Sequence, residues 1–241
     1  MTSDPRLDLV ERFFRGTGST YDFMVRVATL GFDPAWKRRM VRIAREQKGE
    51  PGAILDLACG TGISTFAFSR AFPRARVVGV ELRDEYLQRA RAKLAAAPDP
   101  RIQFVLSRAE DFATDQRFDV VAASYLAKYA DLPVLVDRVV GWLKPGGLLM
   151  MHDFTLPPNR LALGVWRAYF RMLQTLGSKI FPPWKAIYDG LPELIERTRW
   201  TSQLQELLRQ RRFSDVRFEW QTLGGSAIVT ALAPLTVREP E

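Results

Sequence analysis

The chain has 241 residues, of which 47% are hydrophobic and 26% charged, and its formal net charge is +8. These values exclude wholesale disorder and leave room for the core of one domain carrying a sizeable insertion. A single cysteine, Cys59, and a single histidine, His152, exclude an internal disulfide framework and argue against a structural zinc site. The basic balance permits an anionic partner but selects none.

The opening residues 1–14 carry acids and arginines where a signal peptide needs an apolar run, so a cytoplasmic location is expected. Residues 5–48 are helical in pattern and form a candidate N-terminal cap. Within them, 37–48 is dense in Lys and Arg. The plain reading is a solvated basic face, and contact with an anionic membrane surface is the other. From Ala53 the pattern alternates. Short apolar runs lie at 53–57, 76–81, 102–106, 118–123 and 147–154. Helical spacing fills 63–72, 84–97 and 134–143, each ending at a proline or at Lys144-Pro145-Gly146-Gly147. Such alternation predicts an α/β fold with a parallel sheet covered on both faces.

Residues 157–200 break the alternation. They are rich in aromatics, including Trp166, Tyr169, Phe170, Trp184 and Tyr188, which read either as core-covering packing or as a lid over an apolar acceptor. Two last runs, 214–220 and 226–232, are joined by Gln-Thr-Leu-Gly-Gly, too short for a parallel crossover. A seven-stranded, mostly parallel sheet ending in an antiparallel hairpin is therefore expected. The longest uncharged stretch, 221–237, is too polar and too short to span a bilayer, so any membrane association is peripheral.

The sharpest local signal is Leu55-Asp56-Leu57-Ala58-Cys59-Gly60-Thr61-Gly62, which follows a strand and opens a helix. Asp56 sits at the carboxyl end of the first strand, beside the crevice where open α/β sheets bind ligands. Glu81 ends the second strand, placed to accept hydrogen bonds from ribose hydroxyls. Together they predict a nucleotide-like cofactor. The dinucleotide fingerprint fails, because Ser64 or Thr65 stands at its third glycine, and no phosphate-binding loop is present.

These residues resemble the class I S-adenosylmethionine-dependent methyltransferases, with Ala58 in the first glycine position and Lys144-Pro145-Gly146-Gly147 as a further matching motif. Within that superfamily the chain is similar to the ubiquinone/menaquinone-biosynthesis C-methyltransferases over nearly its full length. The matching stretches are Tyr21-Asp22-Phe23-Met24, Trp36-Lys37-Arg38, His152-Asp153-Phe154-Thr155-Leu156-Pro157 and Tyr188-Asp189-Gly190-Leu191-Pro192. Two stretches depart from the family. Ser124-Tyr125-Leu126-Ala127-Lys128-Tyr129 stands where it has Gly-Leu-Arg-Asn, and Arg108-Ala109-Glu110 where it has Asn-Ala-Glu.

The resemblance implies a Rossmann-like class I methyltransferase fold with S-adenosyl-L-methionine as cofactor and no metal. Asp56 and the backbone at Ala58, Gly60 and Gly62 are expected to hold its methionine part, and Glu81 its ribose. Leu82, Ala109 and Glu110 are expected to border the adenine. Tyr21 and Lys37 would close over the cofactor carboxylate, although Lys37 also reads as one more charge on a solvated helix. Ser124 belongs with the cofactor set. His152 is the candidate base, with ordinary hydrogen bonding in the core as the other reading. Lys128 is a candidate phenolate stabiliser, and Tyr125 is the third catalytic candidate. Cys59 reads as a small packed residue.

The expected reaction is C-methylation of a small apolar phenol or quinol, prenylated or not. O- or N-methylation of another small or lipid-like acceptor is the alternative. Nucleic-acid methylation is disfavoured because 121–126 read Val-Ala-Ala-Ser-Tyr-Leu rather than Asn-Pro-Pro-aromatic, and the intact glycine loop argues against a non-catalytic partner. Self-association into a homo-oligomer is left open.

Overall fold

The computed structural model describes residues 4–235; the first three residues of the N-terminal reading and Thr236–Val237 of the uncharged stretch lie outside the described residues. Three helices lead the chain: α1 (Pro5–Phe14), α2 (Tyr21–Ala28) and α3 (Asp33–Lys48). Asp4 caps α1 by accepting from the Arg6 N–H, and Pro5 fits the first turn, where an N–H would find no helical partner.

The alternating part follows as β1 (Ala53–Leu57), α4 (Ile63–Ala71), β2 (Arg76–Glu81), α5 (Asp84–Ala96), β3 (Ile102–Leu106), β4 (Phe118–Ser124), α6 (Leu132–Trp142) and β5 (Leu143–Phe154). Next come α7 (Arg160–Met172), a π turn at Leu173–Gly177, α8 (Ser178–Ile180), a 3₁₀ turn at Pro182–Trp184 and α9 (Lys185–Arg197). Finally α10 (Trp200–Gln210) precedes β6 (Ser214–Gln221) and β7 (Ser226–Leu232). The sheet order is β3-β2-β1-β4-β5-β7-β6. The first five strands are parallel, and β7 lies antiparallel to both β5 and β6. The expected seven-stranded α/β sheet with a terminal hairpin is the one observed. Strand order reverses between β1 and β4, which opens a crevice at their carboxyl ends.

The strand boundary that differs most from the sequence reading is the start of the fifth strand. β5 starts at Leu143 rather than 147, because Leu143 pairs with Phe118 before the register slips and resumes at Val120 with Leu148. The Lys144–Gly147 stretch is that bulge. At Gly147 a Cβ would lie 2.9 Å from the Lys144 carbonyl oxygen, so glycine permits the close turn.

Apolar side chains bury in three places. One sheet face packs Leu55, Val121, Leu149 and Val229 against α6 and α10, with Trp200 donating to the Phe154 carbonyl at 2.8 Å. The other packs Ile54, Val77, Val120 and Met150 against Met40 and Ile43 of α3, Phe68 of α4 and Phe72 just after it. A third core joins Phe13 of α1, Met24 of α2, Phe170 of α7 and Trp184, Tyr188 and Leu191 around α9. The N-terminal cap and the inserted helices thus share one apolar centre.

That third core depends on a close approach of α1 to α9. A Cβ at Gly190 would fall 2.5 Å from Cζ of Phe13, whereas one at Gly141 in α6 would meet nothing within 4 Å. Alanine improves helix propensity by about 1 kcal/mol at either position. Gly141→Ala is expected to raise the melting temperature. Gly190→Ala is expected to lower it, through overpacking that costs about 1–3 kcal/mol. A stabilised Gly190→Ala protein would contradict the α1–α9 packing.

Candidate active site

The loop after β1 turns into α4 through three left-handed residues, Ala58 (φ 52°), Gly60 (φ 58°) and Gly62 (φ 87°). Ala58 tolerates a conformation that costs an L-residue roughly 1–2 kcal/mol and a glycine almost nothing. Two carboxylates hold this loop from below. Glu81 Oε2 accepts from the Gly60 N–H at 2.9 Å, and its Oε1 accepts from the Arg83 N–H at 2.8 Å. Asp56 Oδ2 accepts from the hydroxyls of Ser64 (2.8 Å) and Thr65 (2.6 Å), the residues that break the dinucleotide fingerprint. Its Oδ1 is buried with no hydrogen-bond partner. Burial raises both carboxyl groups, Asp56 to about 6 and Glu81 to about 7.

A cleft of about 780 Å³ opens over this loop at the strand-order reversal. Tyr21, Ala58, Gly60, Glu81, Leu82, Ala109, Glu110, Ser124 and Tyr125 line it, so most of the expected cofactor set converges there. Glu110 is held by Arg108 Nε at 2.9 Å and by the Asp131 N–H at 2.9 Å. The residues fit an S-adenosyl group where Glu81 reaches the cleft wall with acceptor capacity for ribose hydroxyls; beneath the loop, Asp56 Oδ1 is left without a donor.

Sequence reasoning missed the opposite wall. Arg6, Val10 and Phe14 of α1, with Tyr86 of α5, face the glycine loop across the cleft. Arg108 pairs with Asp4 at 2.8 Å, Arg6 with Asp131 at 2.9 Å, and Arg83 with Glu11, which holds α1 over the opening. No local motif signals this, because each pair joins distant segments.

A second cavity of about 540 Å³ adjoins the first and shares Phe14, Tyr21, Tyr125 and Tyr129 with it. Its other walls are apolar, from Val25, Phe154, Phe170, Leu173, Trp184 and Leu191 among others. Lys128 also faces it, with Nζ 2.5 Å from Asp153 Oδ1 and 4.5 Å from the Tyr129 ring centre. Burial lowers the Lys128 pKa, and the Asp153 carboxylate opposes that shift. Tyr125 is held in the left-handed region (φ 64°), costly for an aromatic residue, by three contacts. Its N–H donates to the His152 carbonyl at 2.8 Å, its hydroxyl to Asp33 Oδ1 at 2.7 Å, and its ring stacks on Phe154 at 4.9 Å.

Four expected site residues line neither cavity: Lys37, Asp56, Gly62 and His152. Asp56 and Gly62 support the loop from beneath. Lys37 is buried rather than solvated, pairing with Asp33 at 3.2 Å and donating to Ser124 Oγ. That corrects its reading as one more charge on a solvated helix: Asp33, one turn earlier, provides the countercharge that lets an ammonium leave water. His152 is fully buried, with Nδ1 2.9 Å from Ser124 Oγ and Nε2 3.3 Å from Ser226 Oγ. Burial and the nearby Lys37 and Lys128 charges hold its pKa well below the usual value.

The raised carboxyls set a pH dependence with a definite sign. Unfolded carboxyls titrate near ~4, so between about pH 4 and about pH 7 the ligand-free native state keeps protons that the unfolded chain has released. Their contribution to ligand-free stability is full below about pH 4 and is lost as pH rises through about 7. Affinity for a ligand that donates to both carboxylates moves the opposite way. Glu81→Gln is expected to flatten the fall in ligand-free melting temperature between about pH 5 and about pH 8. Calorimetry with S-adenosylhomocysteine is expected to show tighter wild-type binding across the same range. Identical pH slopes in wild type and Glu81→Gln would contradict the assignment.

The profile of the ubiE/COQ5 methyltransferase family matches residues 2–233. A demethylmenaquinone methyltransferase of Thermus thermophilus is 34% identical over 211 residues, 86% of this chain and 94% of that one. A ubiquinone/menaquinone biosynthesis C-methyltransferase UbiE of Desulfotalea psychrophila is 30% identical over 219 residues, 89% of this chain and 86% of that one. Among solved structures, the plantazolicin methyltransferase BpumL in complex with S-adenosylhomocysteine aligns with a TM-score of 0.68 at 13% identity, covering 95% of both chains. The N-methyltransferase NodS of Bradyrhizobium japonicum aligns at 0.58 and 14%, covering 84% of this chain and 88% of that one. The structural neighbours match the fold. With a family profile spanning nearly the whole sequence and relatives matched over most of their length, the chain belongs to the ubiE/COQ5 methyltransferase family and is an S-adenosylmethionine-dependent methyltransferase.

Proposed function

We propose that this methyltransferase acts on a ring carbon of a small apolar phenolic or quinol-like acceptor, the kind of substrate for which its relatives are named. The observation that carries the reading is the apolar chamber opening off the cofactor cleft, with Lys128 as its charged lining residue. When bound, S-adenosylmethionine supplies a methyl group on a sulfonium, which is transferred by in-line displacement. The protein's share is to align the acceptor, exclude water and make its ring carbon nucleophilic.

A phenol carbon becomes nucleophilic when the neighbouring hydroxyl loses its proton, which passes to water as the acceptor enters; after the methyl transfers and S-adenosylhomocysteine leaves, the ring carbon gives up its own proton to water and the aromatic ring is restored. In the chamber the Lys128 ammonium stabilises the resulting phenolate, and its low-dielectric surroundings strengthen that attraction. Asp153 fixes the ammonium in place and favours its charged form. Tyr125 forms part of the wall between acceptor and cofactor, with Asp33 and Phe154 fixing its ring. The chamber-lining side chains Phe170 and Leu173 choose the acceptor by shape. We assign His152 a positioning part, since it touches Ser124 and packs 5.2 Å from the rings of both Trp36 and Tyr125.

Lys128→Gln, which keeps a donor for Asp153, tests this directly. It is expected to lower kcat for a demethylmenaquinol analogue by roughly 10²–10³, the usual effect of losing one preorganised donor to a developing oxyanion. S-adenosylhomocysteine affinity is expected to stay near wild type, because Lys128 lies outside the cofactor cleft. His152→Asn is expected to preserve the shape of the pH–rate profile. Wild-type turnover in Lys128→Gln, or loss of the acid limb in His152→Asn, would overturn the division of roles.

A further inference from the structure

From Phe154 through Tyr188 the sequence contains no Asp or Glu and five basic residues. Helix α7 opens that stretch, and its two sides differ. Phe170 and Leu173 point inward and line the acceptor chamber. The outward side is also apolar: Leu161 is 78% exposed, Val165 65% and Ile180 68%, with Met172 and Leu176 between them. A helix that only covered a core would carry polar groups there. Arg160, Arg171 and Lys179 stand among these residues without a carboxylate partner among the described residues, whereas Arg167 is paired with Glu196. The surface continues onto α2. Phe23, 55% exposed, packs 5.8 Å from Phe181, and Tyr169 donates to the Val27 carbonyl. No helix of the described residues is long and apolar enough to cross a membrane.

We propose that the outer face of residues 160–180 docks on an anionic lipid bilayer, so that an apolar acceptor passes from the membrane into the chamber beneath. Exposed aliphatics interleaved with unpaired cations and free of acids match an interface with apolar chains below and negative headgroups above. The π turn at Leu173–Gly177 lies within this face, and Leu173 itself reaches the chamber. Docking stands without the proposed acceptor, whereas the entry route rests on it.

Flotation with vesicles of phosphatidylcholine alone, or with about 30% phosphatidylglycerol, tests the surface. Wild type is expected to float with the anionic vesicles, to bind neutral ones weakly and to be released in part by salt. Leu161→Glu/Val165→Glu is expected to bind anionic vesicles at least roughly tenfold more weakly. Both residues are exposed and line neither cavity, so S-adenosylhomocysteine binding and turnover of a tail-less, water-soluble acceptor are expected to stay at wild-type levels. Equal flotation of wild type and variant overturns the proposal, as does a wild type that ignores anionic vesicles. Self-association of wild type in sedimentation, abolished in the variant without any vesicle binding, would assign the face to a second copy instead. Failure of every phenolic acceptor alongside intact flotation would remove the acceptor reading and leave docking standing.

Discussion

The site rests on two carboxylates removed from water at the ends of adjacent parallel strands. Asp56 and Glu81 are forced there by the sheet: β1 is buried throughout and β2 from Val77 onward, and both carboxylates lie at the strand ends beside the glycine loop. Left alone, buried carboxylates are costly, so the chain surrounds them with donors. The Ser64 and Thr65 hydroxyls and the Gly60 and Arg83 N–H groups satisfy part of that demand. Asp56 Oδ1 is left without a donor. Loop geometry and pKa shifts are thus consequences of one desolvation penalty.

The same economy governs the surroundings of Tyr125. Lys37 and Lys128 are both buried, each beside its own carboxylate, Asp33 or Asp153. Their charges flank the Tyr125 ring, with Nζ atoms 4.4 and 5.5 Å from its centre, and both act on His152 to keep it neutral. Ser124 ties this network to the cleft, meeting Lys37 and His152 while lining it. A neutral, doubly hydrogen-bonded histidine away from both cavities suits positioning better than proton transfer, which needs an accessible nitrogen.

Much of the fold was legible because buried parallel strands read as continuous apolar, partly β-branched runs between glycines and prolines. β1, β2 and β3 have the bounds that their sequences suggest. The start of β5 was not legible, since it depends on Leu143 meeting Phe118 across a bulge. The positions of Asp56 and Glu81 were legible, as each lies at the carboxyl end of its strand, although only Glu81 lines the cleft. Lys37 was ambiguous because its burial depends on Ser124, 87 residues away, as well as on nearby Asp33. For His152 the sequence placed the residue at the right strand end but not the direction of its ring. The walls formed by Phe14, Tyr86 and Tyr129 come from three separate elements and leave no local pattern.

In the proposed reaction an apolar phenolic acceptor, activated beside Lys128, takes the methyl group on carbon. The decisive experiment gives the enzyme S-adenosylmethionine labelled with ¹³C at the methyl group and a demethylated quinol, and reads the product by carbon NMR. The label is expected on a ring carbon, in the aryl-methyl region of the spectrum. A label in the methoxy region, or none transferred to any phenolic acceptor by an enzyme that binds its cofactor, would contradict it.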